Sequence, residues 1–146
     1  MCGIVGFNWD DKTLINSMNN EMSHRGPDDY GTYNDKHFSL GHRRLSIVDL
    51  SKKGHQPMFN EDKSIVLVFN GEIYNHKKIR EELEKKGHRF FSNTDSEAII
   101  HGYEEYGEKV SEFLDGKFAF AIWDSKKKKL LVSRDRIGIK PIYYYY

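Results

Sequence analysis

The sequence predicts an α+β fold, a four-layer αββα sandwich in which two antiparallel sheets lie face to face with helices outside them. Residues 65–69 form a β-branched and aromatic run without polar alternation, which is typical of a strand covered on both faces. Residues 117–132 hold two apolar segments separated by a lysine-rich turn, which is typical of a hairpin. Residues 14–22 and 97–106 repeat apolar side chains at helical spacing, which predicts covering helices.

Length and composition restrict the class of protein. A chain of 146 residues is one domain by length and can bury its own core. Lysine and arginine total 23 against 22 acidic residues, so no global field attracts nucleic acid or membrane. The one cysteine excludes an intrachain disulfide and a multi-cysteine zinc site. No signal peptide and no long apolar run are present, so we expect a cytoplasmic protein that binds neither nucleic acid nor membrane.

The first strand is predicted at residues 3–7, directly after Met1 and Cys2. A methionine before a small residue is commonly removed, and Cys2 would then carry a free α-amine. Such an amine titrates at about pH 8 and can take the proton of a neighbouring thiol, which makes the thiol an activated nucleophile. If Met1 is retained, this base is missing. A lone cysteine is also often a small buried apolar residue, so both interpretations stay open here.

The next elements are a helix, two short strands and an extended segment. The helix follows from four apolar residues on one face, Leu14, Ile15, Met18 and Met22. Gly26-Pro27 ends it, and strands are predicted at 30–34 and 37–41. The extended segment is 43–50, and the two arginines that begin it could hold a carboxylate, although surface arginines are usually solvated.

The strand at 65–69 ends at Asn70 and Gly71, which are normally a turn signal. The same pair offers an amide side chain and an unhindered backbone N–H, donors that suit an oxyanion hole. Asn75 is predicted to cap a second helix that ends at Gly87.

A short strand is predicted at 88–92, and residues 94–97 have the form of a capping box for a third helix. The helix dipole alone explains Asp95 at that start, where the carboxylate could also bind an ammonium group. After the hairpin, a strand is predicted at 142–146. The chain stops inside it, so we expect a domain truncated at its C-terminus.

Eight segments resemble, in order, the N-terminal glutaminase domain of the glutamine-hydrolysing asparagine synthetase family, a class II glutamine amidotransferase of the N-terminal-nucleophile (Ntn) hydrolase type. The segments are Met-Cys-Gly-Ile-Val-Gly at 1–6, His-Arg-Gly-Pro-Asp at 24–28, Gly-His-Arg-Arg-Leu-Ser-Ile-Val-Asp at 41–49, His-Gln-Pro-Met at 55–58, Phe-Asn-Gly-Glu-Ile-Tyr-Asn at 69–75, Thr-Asp-Ser-Glu at 94–97, Gly-Lys-Phe-Ala-Phe-Ala-Ile-Trp-Asp at 116–124 and Arg-Asp-Arg-Ile-Gly-Ile-Lys-Pro-Ile-Tyr-Tyr at 134–144. Each segment alone is a weak signal, and together they are specific.

The resemblance implies roles for the matching residues. Cys2 is the nucleophile and its freed α-amine the base, while the Asn70 side chain and the Gly71 N–H form the oxyanion hole. Arg44 binds the glutamine α-carboxylate and Asp95 its α-ammonium. The rest of the glutamine pocket is lined by Leu45, Ser46, Ile47, Val48 and Glu72. The loop near the nucleophile is ordered by Arg25 and Asp28.

The function implied is hydrolysis of L-glutamine to glutamate and ammonia through a cysteine thioester. In the full-length enzyme the ammonia serves ATP-dependent synthesis of asparagine from aspartate. Residues 1–146 are then an amidotransferase domain, incomplete at the C-terminus, that needs no cofactor or metal itself. Mg-ATP belongs to a C-terminal synthetase domain, which is the implied partner. A truncated sheet would leave an open edge or an exposed apolar face that favours homo-oligomers.

Two other interpretations stay open at this point. The same glutaminase could serve a related synthetase with another amide acceptor, because the acceptor is chosen by the missing part. Alternatively, the chain could be a catalytically silent fragment or binding subunit.

Overall fold

The computed structural model describes residues 1–145 and consists of two antiparallel sheets with helices against them. The first sheet has the order β1-β3-β2 and contains β1 (Gly3–Phe7), β2 (Asp29–Asn34) and β3 (Ser39–Arg44). The second has the order β4-β5-β6-β7 and contains β4 (Met58–Phe59), β5 (Ile65–Ile73), β6 (Gly116–Asp124) and β7 (Lys129–Arg134). The α-helices are α1 (Lys12–Glu21), α2 (His76–Lys85), α3 (Asp95–Tyr106) and α4 (Val110–Phe113).

Strand β5 lies at the centre because its side chains alternate between two apolar layers. Leu67 and Phe69 pack with α2 and α3 on one face. Val66 and Val68 pack on the other face against residues of the first sheet, Leu40 among them. Both faces of β5 are therefore covered, as its sequence predicts, and the predicted αββα sandwich is confirmed.

Helix α1 covers the outer face of the first sheet. Asp11 begins it by accepting a hydrogen bond from Leu14 N at 2.8 Å. The helix buries Ile15 and Asn19, whereas Leu14 is 36% exposed, so the predicted apolar face was partly wrong. Asn19 packs against Gly41 of β3. A Cβ added at Gly41 would lie 3.3 Å from the Asn19 Cβ, so the glycine provides the room for Asn19.

Three of the local predictions fail where tertiary contacts replace the local signal. Asn70 and Gly71 do not turn, since β5 runs on to Ile73 in register with β6. Residues 88–92 form no strand, because the N–H groups of Phe91 and Ser92 donate to the Glu97 carboxylate instead. That use of Glu97 also replaces the predicted capping box, and Thr94 makes no side-chain cap bond.

The ends of two other predictions also differ from the structure. Strand β3 stops at Arg44, so residues 45–50 form a loop. Residues 142–145 form no strand, and Tyr146 lies outside the described residues. The short strand β4 was not predicted. The hairpin and the three longer helices are confirmed. Nowhere in residues 1–145 is a helix both long enough and apolar enough to cross a membrane.

Candidate active site

A pocket of about 190 Å³ opens where the beginning of β1, the loop after β3, the second half of β5 and the beginning of α3 meet. It collects most of the site residues that the sequence predicts: Cys2, Arg44, Leu45, Ile47, Val48, Asn70, Gly71, Glu72 and Asp95. The pocket does not include Ser46, Arg25 or Asp28 in its lining. Residues more than forty positions apart thus share one cavity.

The thiol of Cys2 is half-buried and lies against the backbone of Leu45. Leu45 N donates to Sγ at 3.4 Å, and Sγ lies 3.7 Å from Leu45 O. Arg25 Nε donates to Cys2 O at 3.0 Å, and Ser46 N donates to Asp28 Oδ2 at 2.7 Å. Arg25 and Asp28 therefore hold the two segments that meet at the thiol, although neither side chain lines the pocket.

Gly71 presents its backbone away from strand β6. Asp135 N donates to Phe118 O at 2.8 Å, and Phe118 N donates to Asp135 Oδ2 at 3.1 Å, so both backbone groups of Phe118 are bonded on the β7 side. Gly71 pairs with Phe118 and is therefore in a non-hydrogen-bonded pair of the ladder. Such pairs bring the strands close, and a Cβ at Gly71 would lie 2.3 Å from Lys117 O, which requires glycine here.

The neighbouring amides of β5 on this side already have acceptors. Phe69 N donates to Gln56 Oε1 at 2.7 Å, and Ile73 N donates to Asp95 Oδ2 at 2.9 Å. The Gly71 N–H lies between them, and β4 has ended its pairing with β5 before this point. Within residues 1–145 the Gly71 N–H has no acceptor, and it is available to a ligand in the pocket.

The side chain of Asn70 completes a pair of donors with the Gly71 N–H. By the two-residue period of β5, Asn70 points as Val66 and Val68 do, towards the sheet that carries Cys2. Asn70 is only 8% exposed, and no group in residues 1–145 hydrogen-bonds its carboxamide. The carboxamide lines the cavity, where it is available to a ligand.

The carbonyl just before Asn70 is fixed by a histidine of the other sheet. His42 Nε2 lies 2.9 Å from Phe69 O and must carry the hydrogen, because a carbonyl can only accept. Burial lowers the pKa of His42 to about 4, so the ring is neutral near pH 7. This bond ties β3 to β5 beside the candidate oxyanion donors.

At the other end of the pocket Arg44 and Asp95 offer opposite charges. Arg44 is 7% exposed, and its guanidinium donates to Ser51 O at 2.9 Å and also to Asp49 O. A Cβ at Gly54 would lie 2.0 Å from Arg44 Nη2, so any side chain at this position would displace the guanidinium from where it now lies. An arginine side chain has five N–H donors. The carbonyls of Ser51 and Asp49 occupy part of them, so other N–H groups of Arg44 can bind a carboxylate.

Asp95 is 5% exposed at the beginning of α3. Burial raises its pKa, while the hydrogen bond from Ile73 N and the charge of His76 act in the opposite direction. In the described chain no lysine or arginine pairs with this carboxylate, so a buried anion faces the pocket without a counter-ion. A ligand ammonium would supply that counter-ion.

Sequence reasoning missed several lining residues: Met1, Asp49, Gly54, Gln56, Phe69, Thr94, Ser96, Lys117 and Lys140. Gln56 and Lys140 fall inside segments that carry the family resemblance, and a polar residue directly before proline in both segments was the available sequence signal. Glu72, which lines the pocket, forms an ion pair with Lys117, whose Nζ lies 3.0 Å from the Glu72 carboxylate.

A metal-ligand set occurs outside this pocket, at His88, His101 and Glu104, whose ligand atoms lie within 4.8 Å of one another. His101 Nδ1 is 2.8 Å from Glu104, and its Nε2 is 3.6 Å from Glu97. Contacts of the two histidines with neighbouring carboxylates account for this cluster, since His88 also lies 3.4 Å from Glu104 and 3.5 Å from Glu105.

Comparison with known proteins identifies the family of this chain. The family model described as glutamine amidotransferase domain matches residues 1–146. The chain is 45% identical over 152 residues to glutamine-hydrolyzing asparagine synthetase 1 of Bacillus subtilis (strain 168), across 99% of this chain and 24% of that protein. It is 43% identical over 149 residues to glutamine-hydrolyzing asparagine synthetase 3 of Arabidopsis thaliana, across 98% of this chain and 25% of that protein. The chain thus spans about a quarter of the length of these relatives.

A solved structure shares the fold at low identity. Glutamine phosphoribosylpyrophosphate amidotransferase from B. subtilis, complexed with ADP and GMP, superimposes with a TM-score of 0.74 at 16% identity, over 92% of this chain and 37% of that one. This likeness supports the αββα sandwich, and the family model supports the glutamine amidotransferase class that the eight sequence segments predict. The chain belongs to the glutamine amidotransferase domain family and, within it, is similar to the N-terminal part of the asparagine synthetases.

Proposed function

We propose that this domain hydrolyses the side-chain amide of L-glutamine to glutamate and ammonia, with Cys2 as nucleophile. The observation that carries the proposal is one pocket with two complementary ends. A thiol and two unpaired N–H donors, on Asn70 and Gly71, stand at one end. A guanidinium and a buried carboxylate without a lysine or arginine counter-ion in residues 1–145 stand at the other, which suits the α-carboxylate and α-ammonium of an amino acid.

The reaction begins once Met1 is removed. The α-amine of Cys2 takes the thiol proton, and Sγ attacks the side-chain carbonyl carbon of glutamine. The resulting oxyanion accepts hydrogen bonds from Asn70 Nδ2 and Gly71 N. The α-ammonium returns its proton to the leaving nitrogen, and the C–N bond breaks to release ammonia. Water then cleaves the γ-glutamyl thioester, and the α-amine again accepts a proton.

The loop after β3 serves glutamine binding in this proposal. Leu45 holds the thiol through its backbone, while Ile47 and Val48 line the pocket from the same loop. Ser46 does not line the pocket, but its backbone N–H donates a hydrogen bond to Asp28 that holds the loop in place. Glu72 stands at the rim, paired with Lys117.

The proposal extends to a longer protein, because the chain covers about a quarter of its synthetase relatives. In such a protein, residues 1–146 would be the amidotransferase domain. A C-terminal synthetase domain would bind Mg-ATP and use the ammonia to form asparagine from aspartate. The domain itself would use no cofactor or metal. We include a cytoplasmic location in the proposal, since the single cysteine excludes an intrachain disulfide.

Intact mass before and after exposure to a glutamine-shaped electrophile, such as a diazoketone analogue, tests the proposal. We expect loss of Met1, one adduct on Cys2, protection by excess glutamine, and ammonia release from glutamine by the untreated protein. Cys2→Ser, with Met1 removed as well, is the matched control and should take no adduct. A processed protein that takes no adduct and releases no ammonia would mean that the chain is a silent scaffold.

A further inference from the structure

Lys140 is a buried ammonium without an ordinary partner. It lies in the segment after β7, is 6% exposed and lines the same pocket as Cys2. Its Nζ donates to the thioether Sδ of Met1 at 2.8 Å. Among residues 1–145 no carboxylate lies within ion-pairing distance of it. Lysine is almost never buried unless it is paired, and a thioether is a weak acceptor, so this position requires an explanation.

The backbone aims this lysine by a fixed turn. The Asp135 carboxylate accepts Ile139 N at 2.8 Å and Lys140 N at 2.9 Å, and Gly138 N donates to Asp135 O at 3.0 Å. Gly138 has φ of +72°, a conformation that glycine adopts without strain. Since the Asp135 oxygens are occupied by backbone amides, this carboxylate positions the segment and leaves the ammonium unpaired.

Charged groups from several elements surround Lys140. Burial lowers its pKa, and Lys117 of β6 and Arg25 of the Ser23–Arg25 turn lower it further. Asp135 and Cys2 act in the opposite direction. Lys117 is already balanced by Glu72, as described above. Among residues 1–145 Lys140 has no carboxylate partner, and its contact with Met1 Sδ directs it to the terminus that carries the thiol.

We propose that Lys140 activates Cys2 electrostatically once Met1 has been removed. Removal takes away the thioether and leaves the ammonium in the pocket that Cys2, with its new α-amine, also lines. A neighbouring cation disfavours a protonated amine and favours an ionised thiol, and both effects are strong where water is excluded. Lys140 thus keeps the α-amine ready to accept the thiol proton. This inference rests on the proposed function, and Lys140 has a positioning role because it acts through Cys2.

The test measures the rate at which iodoacetamide alkylates Cys2 as a function of pH, in protein whose Met1 removal is verified by mass. Cys2 is the only cysteine, so the rate reports one site and requires no glutamine turnover. In Lys140→Met we expect the half-maximal rate at a pH about one unit higher, and a rate about tenfold lower on the acidic side. Lys140→Arg keeps the charge and should keep the wild-type profile. The acidic limb of kcat/KM for glutamine should move in the same way.

Lys36→Met is the matched control, since it removes an exposed lysine of the turn between β2 and β3 that does not line the pocket. We expect its alkylation profile to stay near that of the wild type. An unchanged profile in Lys140→Met, an equal shift in Lys36→Met, or a Lys140→Arg profile like that of Lys140→Met would overturn the inference. Circular dichroism establishes that each variant folds, and Lys140→Gln replaces Lys140→Met if the latter does not. Absent glutaminase activity in the wild type counts against the proposed function, whereas the alkylation profile still decides the role of Lys140.

Discussion

At the scale of single residues, the candidate site consists of polar groups that the fold leaves unpaired. The Asn70 carboxamide, the Gly71 N–H and the Asp95 carboxylate are all buried or enclosed, and each has an unused bonding capacity. Leaving buried polar groups unpaired costs free energy of folding, which a ligand with matching groups recovers on binding. These groups suit a ligand with a developing oxyanion at one end and an ammonium at the other, as the proposed function requires.

The Asn70→Ala variant tests the oxyanion role. Loss of one such donor typically lowers kcat by about 10²–10³-fold. The KM for glutamine should change little, because the donor is used mainly when charge develops on the oxygen. Steady-state kinetics of ammonia release provide the measurement, and thermal unfolding shows that the variant is folded. A kcat equal to that of the wild type would remove Asn70 from the mechanism.

Asp95→Asn separates binding from stability. Asparagine keeps an oxygen for the Ile73 N–H but loses the negative charge, so glutamine affinity should fall at pH 7. The pKa of Asp95 is raised, so ionisation of this group opposes folding. The variant should therefore have the higher unfolding temperature at pH 7, and the difference should vanish at low pH, where wild-type Asp95 is protonated.

Isothermal calorimetry with glutamine on a Cys2→Ala background provides the binding measurement for Asp95. Wild-type affinity should decrease as pH falls through the pKa of Asp95, at a higher pH than an ordinary aspartate of about 3.9 would show. The Asp95→Asn protein should lack this dependence. If both proteins bind glutamine equally, the ammonium is recognised elsewhere.

At the scale of elements, the sequence predicted those whose periodicity is local and missed those that depend on distant partners. The continuous apolar run of β5 and the apolar segment of β6 beside a lysine-rich turn are typical of strands, so both were predicted. Asn70-Gly71 was first interpreted as a turn, because the pairing that extends β5 comes from β6, nearly fifty residues away. Lys140 was missed as a site residue for the same reason, since its burial beside Met1 depends on contacts between the two ends of the chain.

Helix α3 has a charged network that makes the protein's stability depend on pH. Burial lowers the pKa of His101, but Glu97 and Glu104 raise it more, so the net shift is upwards. A histidine whose folded pKa is raised contributes stability in full below its unfolded pKa of about 6.5 and loses it as pH rises through the folded value. Urea unfolding of wild type and His101→Gln from acid to alkaline pH should show a stability difference that shrinks as pH rises. A constant difference would contradict the charged state of His101.

At the scale of the whole molecule, the site exists only while the two sheets keep their register. Cys2 directly precedes β1 of the first sheet, whereas Asn70 and Gly71 belong to β5 of the second. The apolar layer between the sheets sets the distance between them, but apolar contacts are not directional and do not fix how one sheet is placed along the other. The hydrogen bond from His42 to Phe69 O is directional and does fix it. Because that carbonyl immediately precedes Asn70, the same bond sets the sheet register and the position of an oxyanion donor.

His42 should make the protein sensitive to mild acid. Its folded pKa is about 4 and its unfolded value about 6.5, so the unfolded state binds more protons between these limits. Stability is then lost as pH falls from about 6.5 to about 4, and the difference amounts to about 3 kcal/mol. In His42→Gln the amide can still donate to Phe69 O, while the titration is gone. The unfolding free energy of this variant should fall less steeply over that range, and equal slopes in the two proteins would mean that another group causes acid unfolding.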